Sequence, residues 1–143
     1  MNFPTISRRS FLTSSATLLA TSLAPPLPLK AAGNLRRFKL DCAESAQQIL
    51  PDGAPETPVW AYNGQTPFQE FRIKQGDIFE CEVFNRLPSA TTVHWHGVRL
   101  PNEMDGVPNL TQAPIEPGQN FTYRFKAHDA GTYWFHSHMR GIE

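Results

Sequence analysis

Short runs in which apolar and polar residues alternate cover the chain from Leu35 onward. Side chains two apart in a strand share a face, so each run predicts a strand with one buried face. After the second run, Asn63-Gly64 favours a tight hairpin turn, which needs positive φ angles. The runs predict an all-β fold of about seven short strands, as in a sandwich. They occupy residues 36–42, 59–62, 70–74, 78–85, 91–97, 120–126 and 132–138.

The N-terminal residues follow a different pattern. Paired Arg8 and Arg9 precede a run of small residues and leucines that ends at Ala24, and a Pro-rich stretch follows. This order is typical of a twin-arginine export signal with a linker. The run is also too short and too rich in Ser and Thr to supply the roughly 20 apolar residues that span a bilayer. We expect residues 1–32 to be signal and linker, residues 33–143 to form one domain, and the mature protein to be periplasmic or secreted, with no membrane partner.

Charge and cysteine content narrow the classes of function. The chain has 13 Lys and Arg against 13 Asp and Glu, so it lacks the basic excess that binds phosphate backbones, and we exclude nucleic acid as a partner. Cys42 and Cys81 each alternate with apolar residues and are expected to point into the core. They either form a disulfide or remain two buried free thiols, and both possibilities stay open because sequence alone does not set the distance between them. We assign them no catalytic role.

Four of the five histidines form two His-X-His pairs, His94 with His96 and His136 with His138. Each pair lies in a predicted strand, so its two imidazoles project from one face, as two ligands of one metal or of adjacent metals would. A single pair occurs often by chance, but four half-buried imidazoles without a metal would each need another partner. Among divalent first-row metals, an all-nitrogen site binds copper most tightly. The remaining histidine, His128, lies alone in a turn and is expected to be solvated.

Five sequence blocks resemble the first, plastocyanin-like cupredoxin domain of multicopper oxidases of the laccase type. They follow the order of that family. Two earlier segments, residues 60–65 (WAYNGQ) and 76–77 (GD), also resemble it, so the resemblance extends over nearly all of the mature chain. The resemblance implies a cupredoxin-like Greek-key β-sandwich, here expected to lack its last strand or strands because the chain ends just past the second histidine pair. The blocks are residues 92–97 (TVHWHG), 104–108 (MDGVP), 111–112 (TQ), 115–118 (IEPG) and 131–138 (GTYWFHSH).

The resemblance also implies a set of site residues. By position, His94 would ligate a type 2 copper, whereas His96, His136 and His138 would ligate a type 3 pair. Together they would form half of a trinuclear copper cluster that reduces dioxygen to water, with electrons from a reducing substrate oxidised at a type 1 copper. Asp105, in the long Pro-, Asn- and Gly-rich loop 99–118, resembles a carboxylate that delivers protons to the cluster. Asp before Gly is also a common turn former, and the two interpretations weigh equally.

Other parts of the family pattern are absent from this sequence. It contains neither the motifs for the other four cluster histidines nor a Cys-centred type 1 motif, and neither Cys42 nor Cys81 has a histidine beside it. We therefore expect the chain to be a fragment that is inactive alone. It would act with C-terminal cupredoxin domains encoded in the same or an adjacent reading frame.

Two alternative functions belong to other classes. The first is a stand-alone cupredoxin that binds or buffers copper without catalysis. The second is a zinc hydrolase, which also uses His-X-His after a strand. In such hydrolases an Asp-His pair follows shortly, whereas here the first pair is followed by Gly97-Val98-Arg99-Leu100. The all-β pattern also speaks against the hydrolase, since a short motif needs its structural context.

Overall fold

The computed structural model describes residues 33–65 and 70–139, and the predicted signal and linker, residues 1–32, lie outside them. The described residues confirm the all-β prediction. Within these ranges no helix has the length and hydropathy needed to cross a membrane. The strands are β1 (Leu35–Gln47), β2 (Thr57–Tyr62), β3 (Ile78–Asn85), β4 (Val93–His96), β5 (Asn120–Lys126) and β6 (Trp134–Ser137), with one 3-10 turn at Asn102–Met104.

The strands form a four-stranded sheet and a two-stranded sheet. The larger sheet has the order β2-β1-β3-β5, and the smaller one pairs β4 with β6. β1 is long enough to pair with two strands. Its first half runs parallel to β3, and its second half, from Cys42 onward, runs antiparallel to β2. The predicted turn at Asn63-Gly64 is present, with φ angles of 51° and 65°.

The core lies between the two sheets. Leu40, Phe79 and Val83 of the larger sheet are at most 3% exposed, and Val93 and Trp95 of β4 are at most 4% exposed. The ring of Phe79 meets that of Trp95 edge to face, with centroids 4.9 Å apart. Fully burying side chains of this size stabilises a fold by about 1.5–3 kcal/mol each. The apolar side of β4 is thus anchored in the core, which leaves its other side free for polar chemistry.

The prediction of a strand over residues 70–74 is wrong. Side chains there do alternate between exposed and partly buried, and Phe71 and Ile73 pack against the core. The ring of Phe71 stacks on Phe135, with centroids 5.5 Å apart. No strand pairing involves this segment among the described residues. The alternation therefore indicated which side chains face the core. Here those side chains are partly buried although the segment forms no hydrogen-bonded ladder with a neighbouring strand.

The two cysteines are free thiols. They lie on neighbouring strands, as a disulfide would require, but Cys81 is paired with Phe38 and Cys42 with Asn85. Phe38 precedes Cys42 by four residues, which is about 13 Å along a strand. Disulfides join residues whose Cα atoms are about 4.4–6.8 Å apart. Burial raises the pKa of Cys42 and of Cys81 to about 12, so both stay protonated and unreactive.

Candidate metal centre

The antiparallel register of β4 and β6 brings the two His-X-His pairs onto one face. His94 is paired with His136, and His96 is paired with Trp134. Side chains two apart share a face, so His138, just past the end of β6, belongs to the same side. The opposite side carries the apolar residues Val93, Trp95 and Phe135, which pack into or against the core.

Contacts from other elements fix the position of this small sheet. The backbone N–H of Val93 donates to the Tyr123 hydroxyl of β5 over 3.0 Å. Just before β4, the backbones of Thr91 and Ile115 exchange two hydrogen bonds of 3.0 and 2.8 Å. The hydroxyls of Thr91 and Ser137, 3.2 Å apart, connect this segment to β6. Because each anchor is buried or partly buried, the histidines stand on a rigid base, as metal sites require.

The four imidazoles form one cluster. The ring centroid of His94 lies 5.5 Å from that of His96, 5.3 Å from that of His136 and 5.4 Å from that of His138. The rings of His136 and His138 are 6.0 Å apart. One nitrogen from each of His94, His96 and His136 lies within 4.8 Å of the other two. These imidazoles can therefore share one metal or hold adjacent metals.

Hydrogen bonds to backbone carbonyls determine which ring nitrogen is free. His94 Nδ1 lies 2.6 Å from the Asp105 carbonyl oxygen, and His136 Nδ1 lies 2.7 Å from the Ser137 carbonyl oxygen. A carbonyl only accepts, so each Nδ1 must carry the proton and donate, which leaves Nε2 as the metal ligand. His96 differs: its Nδ1 faces His136 Nε2 at 3.4 Å. The hydrogen bonds thus leave Nε2 of His94 and Nε2 of His136 free for a metal, and a ring nitrogen of His96 completes the group.

The loop that carries Asp105 contacts β4 directly. Gly106 makes this possible: a Cβ atom there would lie 1.9 Å from the Val93 carbonyl oxygen. Asp105 ends the 3-10 turn, where its N–H donates to Asn102 over 3.1 Å. Its carboxylate Oδ1 lies 3.4 Å from His94 Nδ1, and the side chain is 33% exposed. Asp105 is therefore both a turn residue and a direct neighbour of His94.

Trp134 belongs to the same face, and sequence reasoning missed it. Its indole stacks on His96 at 4.6 Å and on His136 at 4.3 Å between centroids. The spacing of Trp134, His136 and His138, each two residues from the next, would have predicted a shared face.

His128 and the cysteines lie elsewhere. His128 is exposed in the loop before β6, as expected, and its carbonyl accepts a hydrogen bond from Gln75. Cys42 and Cys81 point into the core from the larger sheet. In the part of the chain that the structure describes, no thiol therefore adjoins the histidines, and a copper–thiolate site is not formed there.

The donor set fits copper. It consists of imidazole nitrogens, and imidazole is a borderline ligand that suits copper, zinc, iron and nickel, with copper bound most tightly among the divalent ions. His94 is held by an outer hydrogen bond and is only 18% exposed in its side chain. Such outer contacts are typical of metal-binding histidines.

Comparison with known proteins identifies the family. The family model described as multicopper oxidase matches residues 44–143. Laccase-1 of Emericella nidulans is 42% identical over 87% of this chain and 21% of its own length. Copper resistance protein A of Escherichia coli is 41% identical over 78% of this chain and 18% of its own length. The crystal structure of a multicopper oxidase from Pseudomonas thermotolerans superposes with a TM-score of 0.71 at 42% identity, over 76% of this chain and 26% of that one.

These relatives confirm the cupredoxin-like β-sandwich, and the chain spans about a fifth of the length of the two curated relatives. The zinc hydrolase alternative finds no support among them. From its matched residues and its histidine cluster, the chain belongs to the multicopper oxidases, a family whose cofactor is copper.

Proposed function

We propose that this chain supplies the N-terminal half-site of the trinuclear copper cluster in a laccase-like multicopper oxidase. The complete enzyme would couple oxidation of a reducing substrate to reduction of dioxygen to water. His94 would ligate the type 2 copper, and His96, His136 and His138 would ligate the type 3 pair. Bound copper would supply the redox chemistry, and the residues of this chain would hold and orient it.

The observation that carries the proposal is the pairing of His94 with His136 across β4 and β6. A slip of one residue would send one pair of histidines into the core, because successive side chains alternate faces. The observed register instead gathers four imidazoles, with ring centroids 5.3 to 6.0 Å apart in five of the six pairs. Family membership makes copper the metal that this cluster is built to hold.

Asp105 is proposed to deliver protons, which reduction of dioxygen to water consumes. Its carboxylate lies 3.4 Å from His94 Nδ1 and is 33% exposed. It can therefore exchange protons with solvent on one side and approach the cluster on the other. Positioned acids and bases of this kind contribute about 10²–10⁴-fold to rates.

Further ligands would have to complete the centre. The described residues provide four clustered imidazoles and no neighbouring thiolate. In our proposal, C-terminal cupredoxin domains provide the other cluster histidines, the type 1 copper and the site for the reducing substrate. The chain is also proposed to be inactive as an oxidase without them and to act in the periplasm or outside the cell, after twin-arginine export.

A second candidate function is copper binding or buffering without catalysis. It is favoured by the likeness to proteins named copper resistance protein A, one of which, from Pseudomonas syringae pv. tomato, is 53% identical over 54% of this chain. The same histidines would serve this role. Oxygen consumption by an assembled enzyme distinguishes the two functions, because buffering alone turns over no dioxygen.

Copper titration of the chain tests the proposed ligands. The wild type should bind copper in preference to zinc, and His94→Ala with His136→Ala should abolish binding, because two opposed ligands are lost. His128→Ala is the matched control, since this exposed histidine lies outside the cluster. Binding by the double variant equal to that of the wild type, or loss of binding in His128→Ala alone, would contradict the ligand assignment.

A further inference from the structure

We propose that Trp134 is a positioning residue of the copper site, which holds the imidazoles of His96 and His136 in their metal-binding orientation. The inference rests on the proposed copper site and adds a residue that binds no metal itself. An indole N–H is only a donor and cannot ligate a metal ion. Any effect of Trp134 on copper must therefore act through its neighbours.

The register places the indole between two ligands. Trp134 is paired with His96 across the strands and precedes His136 by two residues on its own strand. The intervening Phe135 points the other way, where its ring contacts Trp95 at 5.4 Å between centroids. Trp134 thus occupies a position on the histidine face that could itself have carried another ligand.

Ring stacking fixes the relative orientation of the three side chains. The indole is inclined by 25° to the His96 ring and by 24° to the His136 ring, at centroid distances of 4.6 and 4.3 Å. These are the two rings whose nitrogens face each other at 3.4 Å. Near-parallel aromatic rings at such distances attract each other beyond the area they bury.

His96 depends on this stack more than its neighbours do. His94 and His136 are each held by a hydrogen bond from Nδ1 to a backbone carbonyl. Among the hydrogen bonds of the described residues, His96 has only the contact between its Nδ1 and His136. The χ2 angle of a histidine is broadly distributed, so its rotamer alone does not fix the orientation of the imidazole ring. The indole therefore gives His96 the orientation that a carbonyl gives to the other two.

Loss of the stack should weaken copper binding without unfolding the domain. Trp134 is 57% exposed, so it contributes little to the core. A His96 ring that samples several orientations is competent for binding only part of the time, and its apparent Kd rises by the inverse of that fraction. Removal of outer contacts of metal ligands typically weakens affinity about 10–100-fold. We expect about tenfold for Trp134→Leu.

The test compares variants of the full chain. Trp134→Leu removes the aromatic ring, whereas Trp134→Phe keeps a ring that can stack. Trp60→Leu is the control, because Trp60 is also exposed, at 42%, but lies on β2 in the other sheet. Copper(II) affinity and the copper EPR spectrum are measured for each, and circular dichroism verifies folding. NMR of the metal-free chain reports the ring protons of His96 and His136.

The inference predicts about tenfold weaker binding and an altered EPR spectrum for Trp134→Leu, values within about twofold of wild type for Trp134→Phe, and no change for Trp60→Leu. In the metal-free Leu variant, the His96 and His136 ring signals should lose their ring-current shifts and average over several orientations. Copper affinity and EPR spectra of Trp134→Leu equal to those of the wild type, or equal losses of affinity in the Phe and Leu variants, would overturn the role of Trp134 and leave the proposed copper site standing. Absence of histidine-dependent copper binding in the wild type would instead overturn the proposed function, and the metal-free NMR would still decide whether Trp134 orders the rings.

Discussion

Gly106→Ala should destabilise the domain and weaken its copper site together, because the loop at Gly106 lies against the backbone of β4. A Cβ atom there would lie 1.9 Å from the Val93 carbonyl oxygen and 2.9 Å from the His94 Cα. Neither neighbour belongs to a flexible side chain, so the loop itself must move. The φ angle of +79° adds a second penalty, since L-residues are strained in that region.

The two penalties can be estimated separately. An alanine in the left-handed region costs about 1–2 kcal/mol, and forcing extra volume into a packed site costs about 1–3 kcal/mol. The free energy of unfolding should therefore fall by about 2–5 kcal/mol. Movement of the loop would also disrupt the 2.6 Å hydrogen bond from His94 Nδ1 to the Asp105 carbonyl. Loss of such an outer partner should weaken copper binding about 10–100-fold.

Gly118→Ala is the matched control. Gly118 has the same φ of +79°, but a Cβ atom there would meet nothing within 4 Å. The free energy of unfolding of Gly118→Ala should fall only by the about 1–2 kcal/mol that an alanine at positive φ costs, and its copper affinity should not change. Urea unfolding followed by circular dichroism measures the stability change, and copper titration measures the affinity. Equal losses of stability in the two variants, or undiminished copper affinity in Gly106→Ala, would refute the argument from close approach.

Three further predictions concern the thiols, the acid and the signal. Burial raises the pKa of Cys42 and Cys81 from 9.0 to about 12. The stability that the protonated thiols contribute should therefore be complete below pH 9 and be lost between pH 9 and 12. Urea unfolding across that range should show a smaller decline in the free energy of unfolding for a Cys42→Ala, Cys81→Ala variant than for the wild type. Asp105→Asn keeps the backbone carbonyl that holds His94, so copper affinity should stay within about twofold while oxygen consumption by a complete oxidase falls by about 10²-fold or more; unchanged turnover would remove Asp105 from proton delivery. Arg8→Lys with Arg9→Lys should retain the precursor in the cytoplasm, which fractionation detects, and normal export would show the signal hypothesis to be wrong.

Much of the fold could be predicted because burial imposes a period of two on each strand. The predicted bounds of β3 and β5 coincide with the structure, and all six observed strands overlap predicted runs. The run 70–74 failed because Phe71 and Ile73 meet the core without pairing to a neighbouring strand. β1 proved longer than predicted because its second half pairs with β2. Strand pairing depends on distant partners, which local alternation does not specify.

In the candidate site, too, local alternation could be predicted, whereas contacts between residues distant in sequence could not. Period two on each strand put His94 beside His96, and His136 beside His138, on single faces, and the structure brings both pairs together. Three features depended on contacts distant in sequence. These are the four-residue offset that separates the cysteines, the approach of the Asp105 carbonyl to His94, and the stacking of Trp134 on His96. Only the last had a local signal, in the spacing from Trp134 to His136.

A crystal structure of the copper-loaded chain, with anomalous diffraction measured at the copper absorption edge, would show which residues ligate the metal. The proposed ligand set predicts anomalous density on the histidine face of β4 and β6, within coordination distance of Nε2 of His94 or His136 and of a ring nitrogen of His96. Copper found instead at His128 or at the buried cysteines, with this face vacant, would contradict it.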